Sequence, residues 1–147
     1  MQNLKWSPEM ALGIPNIYAL HQSFIESLAE LHISPDEQFQ RRYNILVADM
    51  EHDFSEEERQ MEEIEFSELQ VHREQHARLL SVMHHAQGHV MCGNIAAGRD
   101  VITLLPPWFT FHISTMDAAM VIAILQMDAA KKDSDTLQSA AQESPKV

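Results

Sequence analysis

The fold of this chain is restricted above all by apolar residues that recur every three or four positions. The first set consists of Ile17, Leu20, Phe24, Leu28 and Leu31. Each residue of an α-helix turns by about 100°, so this spacing places the five side chains on one helix face. The same period continues through residues 35–64 and 67–88, which predicts three amphipathic helices in succession.

A fourth apolar stretch covers residues 101–127 and is interrupted by Pro106 and Pro107. An interior proline removes a backbone donor and clashes with the preceding turn, so this helix should be kinked or broken there, or start afresh. Only four glycines occur in the chain, and Leu, Met, Ala, Glu and Gln are abundant. We therefore expect an all-α protein, an up-down-up-down four-helix bundle.

The two ends of the chain do not follow the helical pattern. Residues 1–15 contain a Trp, two Pro and a Gly, which suits an extended arm across the bundle, anchored by Trp6. Residues 131–147 are polar and offer little apolar surface, so we expect a frayed or disordered tail. The length fits a single domain, residues 1–130, followed by that tail.

The charge balance limits the classes of partner. The chain has 22 acidic and 10 basic residues and a formal net charge of -12, which repels phosphate backbones and anionic membranes. The start has no basic region followed by an apolar run, and no segment approaches the roughly 20 apolar residues of a membrane helix. The single Cys92 fits a reducing compartment. We expect a cytoplasmic protein, monomeric by default, that binds neither nucleic acid nor membrane.

Two helical segments carry pairs of metal-ligand residues four positions apart. One pair is His52 and Glu56, and the other is His72 and His76. Residues four apart differ by about 40° around a helix, so each pair points at one spot. One pair alone is weak, because nine histidines in 147 residues give roughly half a pair by chance. Two pairs on facing helices of a bundle, however, can share one metal site.

The fourth helix supplies His112 and, five residues on, Asp117. Five residues turn a regular helix by about 140°, so both reach one site only if the helix widens or each side chain reaches around from its flank.

Elsewhere, His21 lies beside the first stripe and, taken alone, is a core histidine more often than a ligand. Glu57 and Glu58 do not share the face of the second-helix pair, so we expect them to be solvated.

Taken together, these residues resemble the motifs of the hemerythrin family, in particular its single-domain bacterial members. The matching residues, in order, are Trp6, Gly13-Ile14, His21, His52 with Glu56-Glu57, Met61, His72 with His76, and Trp108 with His112 and Asp117. The resemblance covers residues 1 to about 127 and fills all seven ligand positions. It is far more specific than any single pair.

The resemblance implies a non-heme di-iron centre that binds O2 reversibly, for storage, transport or delivery. The ligands that it implies are His72, His76 and His112 on one iron, His21 and His52 on the other, and Glu56 and Asp117 as bridges. An oxo or hydroxo bridge completes six donors on one iron and five on the other, which leaves a position for O2. Imidazole and carboxylate also suit zinc, so the ligand types alone do not select iron.

An apolar shell around the centre would keep water away from bound O2. Its candidates by helical position are Phe24, Ile25, Phe109, Ile113 and Met116. Because Phe109 stands where the family usually has Leu, we expect a tighter pocket.

Several positions depart from the family pattern. Tyr18 and Leu20 replace a common acidic residue and a Gln, and Asp53 intervenes before Phe54, although Phe usually follows the second-helix His directly. These differences concern hydrogen bonding around the ligands and helix geometry. The histidines that match no ligand position, and are assigned to the surface or to helix ends, are His32, His84, His85 and His89.

Two other classes of function stay open. Five neutral imidazoles leave the centre with less negative charge, which favours O2 binding over oxygenation, so we expect no enzymatic role. An open di-iron site could still reduce peroxide or nitric oxide, which turnover assays would detect. A sensor of O2 or redox state would need a separate partner, because 147 residues leave no room for an output domain. In a delivery role, the recipient would be an oxygen-consuming enzyme.

Overall fold

The computed structural model describes residues 15–142, with side chains from residue 19 onward. Its elements are α1 (Pro15–Ile33), α2 (Asp36–Glu63), α3 (Leu69–Met91), α4 (Ile95–Ile102), α5 (Leu105–His112), a π-helical turn (Ile113–Asp117) and α6 (Ala118–Gln142). The first three helices and a fourth segment formed by α4 to α6 make an all-α four-helix bundle, which confirms the predicted fold class. The predicted N-terminal arm lies outside the described residues, except for Pro15, which begins α1.

The bundle core follows the apolar stripes of the sequence. On α3 the buried positions are 72, 76, 79, 83, 86 and 90. These alternating steps of three and four are the spacing of a helix seam that packs against its neighbours. Two of the six positions are His72 and His76, so the core stripe itself carries the ligand candidates.

The fourth segment, formed by α4 to α6, starts with a close contact between α4 and the rest of the bundle. A Cβ added at Gly98 would lie 2.6 Å from side-chain carbons of both Phe39 and Val90, a distance that carbon atoms do not tolerate. Arg99 follows directly and donates a hydrogen bond of 2.8 Å to the carbonyl oxygen of Ser34. Glycine at this position therefore lets α4 approach α2 and α3.

Helix α5 begins afresh at the tandem prolines. The chain turns at Thr103 and Leu104, and Pro106 and Pro107 lie in the first turn of α5. The first N–H groups of a helix have no partner within it, so prolines are tolerated there. One of the alternatives that the sequence left open is thereby confirmed, and the ligand-bearing helix is not kinked by the prolines.

The π-helical turn Ile113–Asp117 directly follows His112 and makes each hydrogen-bonded turn one residue longer. Two hydroxyl groups support the altered backbone, because Ser114 and Thr115 donate hydrogen bonds of 3.1 and 2.7 Å to the carbonyl oxygen of Phe111. The local widening that a five-residue ligand spacing requires is therefore present.

Helix α6 runs further than expected. The sequence predicts fraying from residue 131, but the helix continues to Gln142. Ala, Lys, Leu and Gln in this stretch favour helix, and no Gly or Pro interrupts it before Pro145. From residue 125 to residue 142 every side chain is exposed, so this part of α6 makes no core contacts. The last five residues lie outside the described part of the chain.

By length and composition, the helical stretch Ile95–Gln142 would suffice to cross a membrane, contrary to the sequence expectation that no segment would. A third of its apolar window, 33%, is buried within the bundle. Its first half also contains His112 and Asp117, whose side chains are almost completely buried. That half is therefore apolar because it packs in the bundle core.

Candidate metal centre

Six polar side chains meet in the interior of the bundle, each on the core-facing side of its helix. They are His21 on α1, Glu57 on α2, His72 and His76 on α3, His112 at the end of α5 and Asp117 at the end of the π turn. None of the six is more than 3% exposed. Burying so many polar groups is unfavourable unless they pair or hold an ion, so their convergence indicates a metal site.

The first group, which we call the three-histidine half, consists of Glu57, His72, His76 and His112. Nε2 of His112 lies 3.0 Å from Nε2 of His72 and 3.1 Å from Nε2 of His76. Nitrogens bound to one metal at about 2.1 Å would be about 3.0 Å apart at right angles and about 3.4 Å apart in a tetrahedron. Both contacts are in the range expected for ligands of one metal ion, so the three imidazoles could bind a single ion.

The second group, which we call the carboxylate half, consists of His21, Glu57 and Asp117. Oδ2 of Asp117 is 3.0 Å from Nε2 of His21, whereas its Oδ1 is 3.0 Å from Nε2 of His112. The π turn thus places Asp117 between the halves, with one oxygen directed to each. This is the arrangement of a bridging carboxylate.

Glu57 spans the two halves in the same way. Its Oε1 is 3.7 Å from Nε2 of His21, and its Oε2 is 3.2 Å from Nε2 of His76. Among the described residues, the buried atoms without a hydrogen bond are Glu57 Oε2, Asp117 Oδ1 and His72 Nδ1. The two carboxylate oxygens are those that face the three-histidine half, so a metal ion there would satisfy both, and the residues fit a metal pair.

The pKa values of the central groups reflect mutual stabilisation of opposite charges. Burial and the nearby Asp117 alone would raise the pKa of Glu57, but surrounding imidazoles outweigh them and lower it to about 2. Burial also opposes ionisation of Asp117, yet His112 and two further imidazoles hold its pKa well below its ordinary value. Burial alone would lower the pKa of His72, but the two carboxylates raise it to about 9. Both carboxylates are therefore ionised at neutral pH, as metal binding requires.

The outward ring nitrogens of two histidines contact polar side chains. Nδ1 of His76 is 2.9 Å from Oε1 of Glu58, and Nδ1 of His112 is 3.4 Å from Oε1 of Gln75. Phe54 also stacks on the His76 ring, with 3.8 Å between the ring centroids. Such partners fix the orientation of each ring and keep its Nε2 directed at the metal position.

The structure brings together five of the seven residues proposed as ligands, namely His21, His72, His76, His112 and Asp117. It does not bring His52 and Glu56 to the centre. His52 is exposed, and Glu56 pairs with Arg59 at 3.0 Å. Glu57 takes the predicted place of Glu56, and the expectation that Glu57 is solvated is wrong. The proposed pair lies one residue too early, which turns it about 100° away from the core.

Asp53 also borders the centre, although it belongs to neither ligand pair of the sequence. It lies one helix turn before Glu57 and lines the same cavity as Glu57 and His21. Burial, followed by the charges of Glu57 and Asp49, raises the pKa of Asp53 to about 7, against the effect of nearby imidazoles. A third carboxyl group therefore adjoins the carboxylate half. In the sequence, the feature that distinguishes Asp53 is that it separates His52 from Phe54.

A small cavity lies beside the carboxylate half, with a volume of about 10 Å³, close to the space of one water molecule. Its lining residues are Leu20, His21, Phe24, Met50, Asp53, Phe54, Glu57, Trp108 and Phe109. Phe24 and Phe109 were proposed for the O2 pocket. Ile25, Ile113 and Met116 were also proposed but are not among the described residues that line this cavity.

The histidines that match no ligand position lie away from the centre. His84, His85 and His89 are exposed on α3, and His32 is half-buried near the end of α1. His85 and His89 contact each other edge to face, with 5.1 Å between ring centroids. Their pairing follows from the continuation of α3 to Met91, beyond the end expected near residue 88.

No protein-family model and no solved structure matches this chain. A similar protein is the "Bacteriohemerythrin" of Ralstonia nicotianae, which is 29% identical over 126 residues. The alignment covers 86% of this chain and 92% of that protein, so the similarity extends far beyond the ligand motifs. The helical bundle and its buried centre of histidines and carboxylates agree with this similarity, which supports the resemblance to the single-domain hemerythrins.

Proposed function

We propose that the chain holds two iron ions and binds O2 reversibly. The observation that carries this proposal is the presence of two adjoining ligand groups bridged by Glu57 and Asp117. The three imidazoles, whose Nε2 atoms converge, would hold one iron, and His21 with the two shared carboxylates would hold the other. Iron supplies the redox chemistry that makes O2 binding strong and reversible.

The cavity beside the carboxylate half suits a small apolar gas. Its apolar lining includes the rings of Phe24, Phe54, Trp108 and Phe109. Aromatic walls would exclude water and its protons, which would otherwise promote release of O2 as hydrogen peroxide and leave the iron oxidised. The apolar side chains would therefore protect O2 at this position.

The proposed physiological role is storage, transport or delivery of O2 by a monomer in the cytoplasm. An oxygen-consuming enzyme would be the recipient, and O2 itself is the ligand. The similarity to a bacteriohemerythrin supports a binding role rather than a catalytic one. Reduction of peroxide or nitric oxide is the second candidate, and it is favoured by the additional carboxyl group of Asp53 beside the centre.

Metal content and the visible spectrum of the purified protein test this proposal. The spectrum is recorded in air, after reduction without oxygen, and again on return to air. We expect two irons per chain and a band that disappears and returns. Iron that oxidises once and stays oxidised would favour the redox enzyme or sensor, and a colourless zinc protein would contradict both functions.

A further inference from the structure

We propose that Asp53 is the fourth protein ligand of the metal in the carboxylate half. This inference rests on the proposed two-iron centre and completes its weaker half. The tight group there contains His21 and two carboxylates, both of which are shared with the three-histidine half. The second metal would thus have a single protein ligand of its own unless another side chain joins it.

Asp53 is placed to be that ligand. It precedes Glu57 by one turn of α2, so both carboxylates emerge from the same helix face. Asp53, Glu57 and His21 line one cavity beside the centre. Its oxygens lie outside the tight group of His21, Glu57 and Asp117. We infer that the side chain moves to the metal when the metal binds.

The neighbours of Asp53 on α2 are poor alternatives. His52 is exposed on the surface of the bundle. Asp49, one turn before Asp53, accepts a hydrogen bond of 3.3 Å from Ser27. Besides Glu57, Asp53 is therefore the carboxylate in the described part of α2 that combines the right face with a border on the cavity.

This assignment changes the chemistry of the centre. The ligand set becomes four imidazoles and three carboxylates, instead of the five imidazoles and two carboxylates implied by the family resemblance. An additional anionic ligand stabilises Fe(III) relative to Fe(II), because it compensates the higher charge. The midpoint potential of the iron in the carboxylate half should then be lower than in a variant with a histidine at position 53.

Anaerobic titration of the metal-free protein with Fe(II), followed by metal analysis and Mössbauer spectroscopy, tests the inference. Wild-type protein should take up two irons per chain. Asp53→Asn should bind the first iron normally and the second at least about tenfold more weakly, since even outer partners of ligands contribute about 10- to 100-fold. Asp53→His should bind two irons, with an altered Mössbauer doublet for one iron and a higher midpoint potential. Asp49→Asn is the matched control and should behave as wild type.

The outcomes separate this inference from the proposed function. Two irons in Asp53→Asn with wild-type affinity and spectrum would overturn the role of Asp53 and leave the two-iron proposal intact. Loss of the second iron in His52→Ala would overturn it as well. Fewer than two irons in wild-type protein would overturn the two-iron centre itself, whatever the variants do. If Asp53→Asn does not fold, Asp53→His decides, because an unchanged doublet and potential exclude a ligand at this position.

Discussion

The two halves of the centre are built differently. In the three-histidine half, Nε2 of His112 lies 3.0 and 3.1 Å from Nε2 of His72 and His76, and Glu58 and Gln75 contact the outward nitrogens of His76 and His112. In the carboxylate half, His21 has one close carboxylate and one more distant one, at 3.0 and 3.7 Å. The first half is compact and its rings have polar partners, whereas the second half is looser and borders a cavity.

The difference suggests a division of roles between the two metals. Imidazoles whose orientation is fixed by such contacts lose little conformational entropy when they bind a metal, so the three-histidine half should bind first and tightly. A looser half beside an apolar cavity leaves room for an exogenous ligand. The variants below alter one half at a time, or the bridge between them, in order of decreasing expected effect.

The largest effect should come from Glu57→Gln, which removes a carboxylate shared by both halves. We expect affinity for each iron to fall more than about 100-fold, because a direct ligand contributes more than the outer partners, which are worth about 10- to 100-fold. Iron per chain after desalting measures the loss. Glu56→Gln, the adjacent control, removes only a pair with Arg59 at the surface and should keep two irons. Equal iron in both variants would contradict the bridging role of Glu57.

The adjacent residues Glu56 and Glu57 also show what could be predicted from the sequence. The apolar stripe of α2 contains Met50, Phe54 and Met61, and a seam with steps of three and four passes through position 57 between the last two. The polar pair His52 and Glu56 fits a ligand spacing equally well but lies off this stripe. Burial periodicity was therefore the better guide to the ligand than the four-residue spacing.

The other parts of the centre were predictable to different degrees. His72 and His76 are on the core stripe of α3 and share a face, so both signals agree. Asp117 and His112 can reach one site only if the helix widens between them. The five-residue spacing indicated such a widening but did not predict which residues form it. The cavity beside Asp53 depends on side chains from three helices, and no local pattern in one helix specifies such a contact.

Removing His21 should affect the carboxylate half alone. We expect His21→Ala to retain about one iron per chain, because the three-histidine half keeps all its ligands. Iron analysis with Mössbauer spectroscopy distinguishes the remaining iron from a mixture of full and empty chains. His84→Ala, which alters an exposed histidine, should keep two irons. Loss of both irons in His21→Ala would show that neither half binds independently.

Glu58→Gln should weaken the three-histidine half by about tenfold, since Glu58 contacts Nδ1 of His76 and a charged partner raises the basicity of the ligand. A competition titration with a metal chelator measures the change. Glu62 provides the control, because Arg73 pairs with both Glu58 and Glu62 but Glu62 has no contact with a ligand in the described structure. Similar losses in Glu58→Gln and Glu62→Gln would assign the effect to Arg73 instead.

The metal-free protein should lose stability as the pH rises from about 6.5 to about 9. The pKa of His72 is raised to about 9 in the folded state, so its protonated form stabilises the fold fully below the ordinary value of 6.5. That contribution is lost as the pH rises through the folded-state pKa. Urea unfolding at pH 6.5, 8 and 9 measures the decline, and His72→Asn should reduce it. Iron-loaded protein should not show this decline, because bound imidazoles are already neutral.

The smallest effect should come from Phe109→Leu at the cavity wall. The Phe109 ring packs against Phe24 and His21, with centroid distances of 4.3 and 5.4 Å. A smaller side chain enlarges the cavity on the side of the carboxylate half, so we expect O2 release and autoxidation to accelerate a few-fold, with a stability loss of about 1 kcal/mol. Stopped-flow release and the decay of the visible band in air measure the two rates. Phe111→Leu, at an exposed position, should change neither rate, and unchanged rates in Phe109→Leu would contradict a tight pocket formed by this ring.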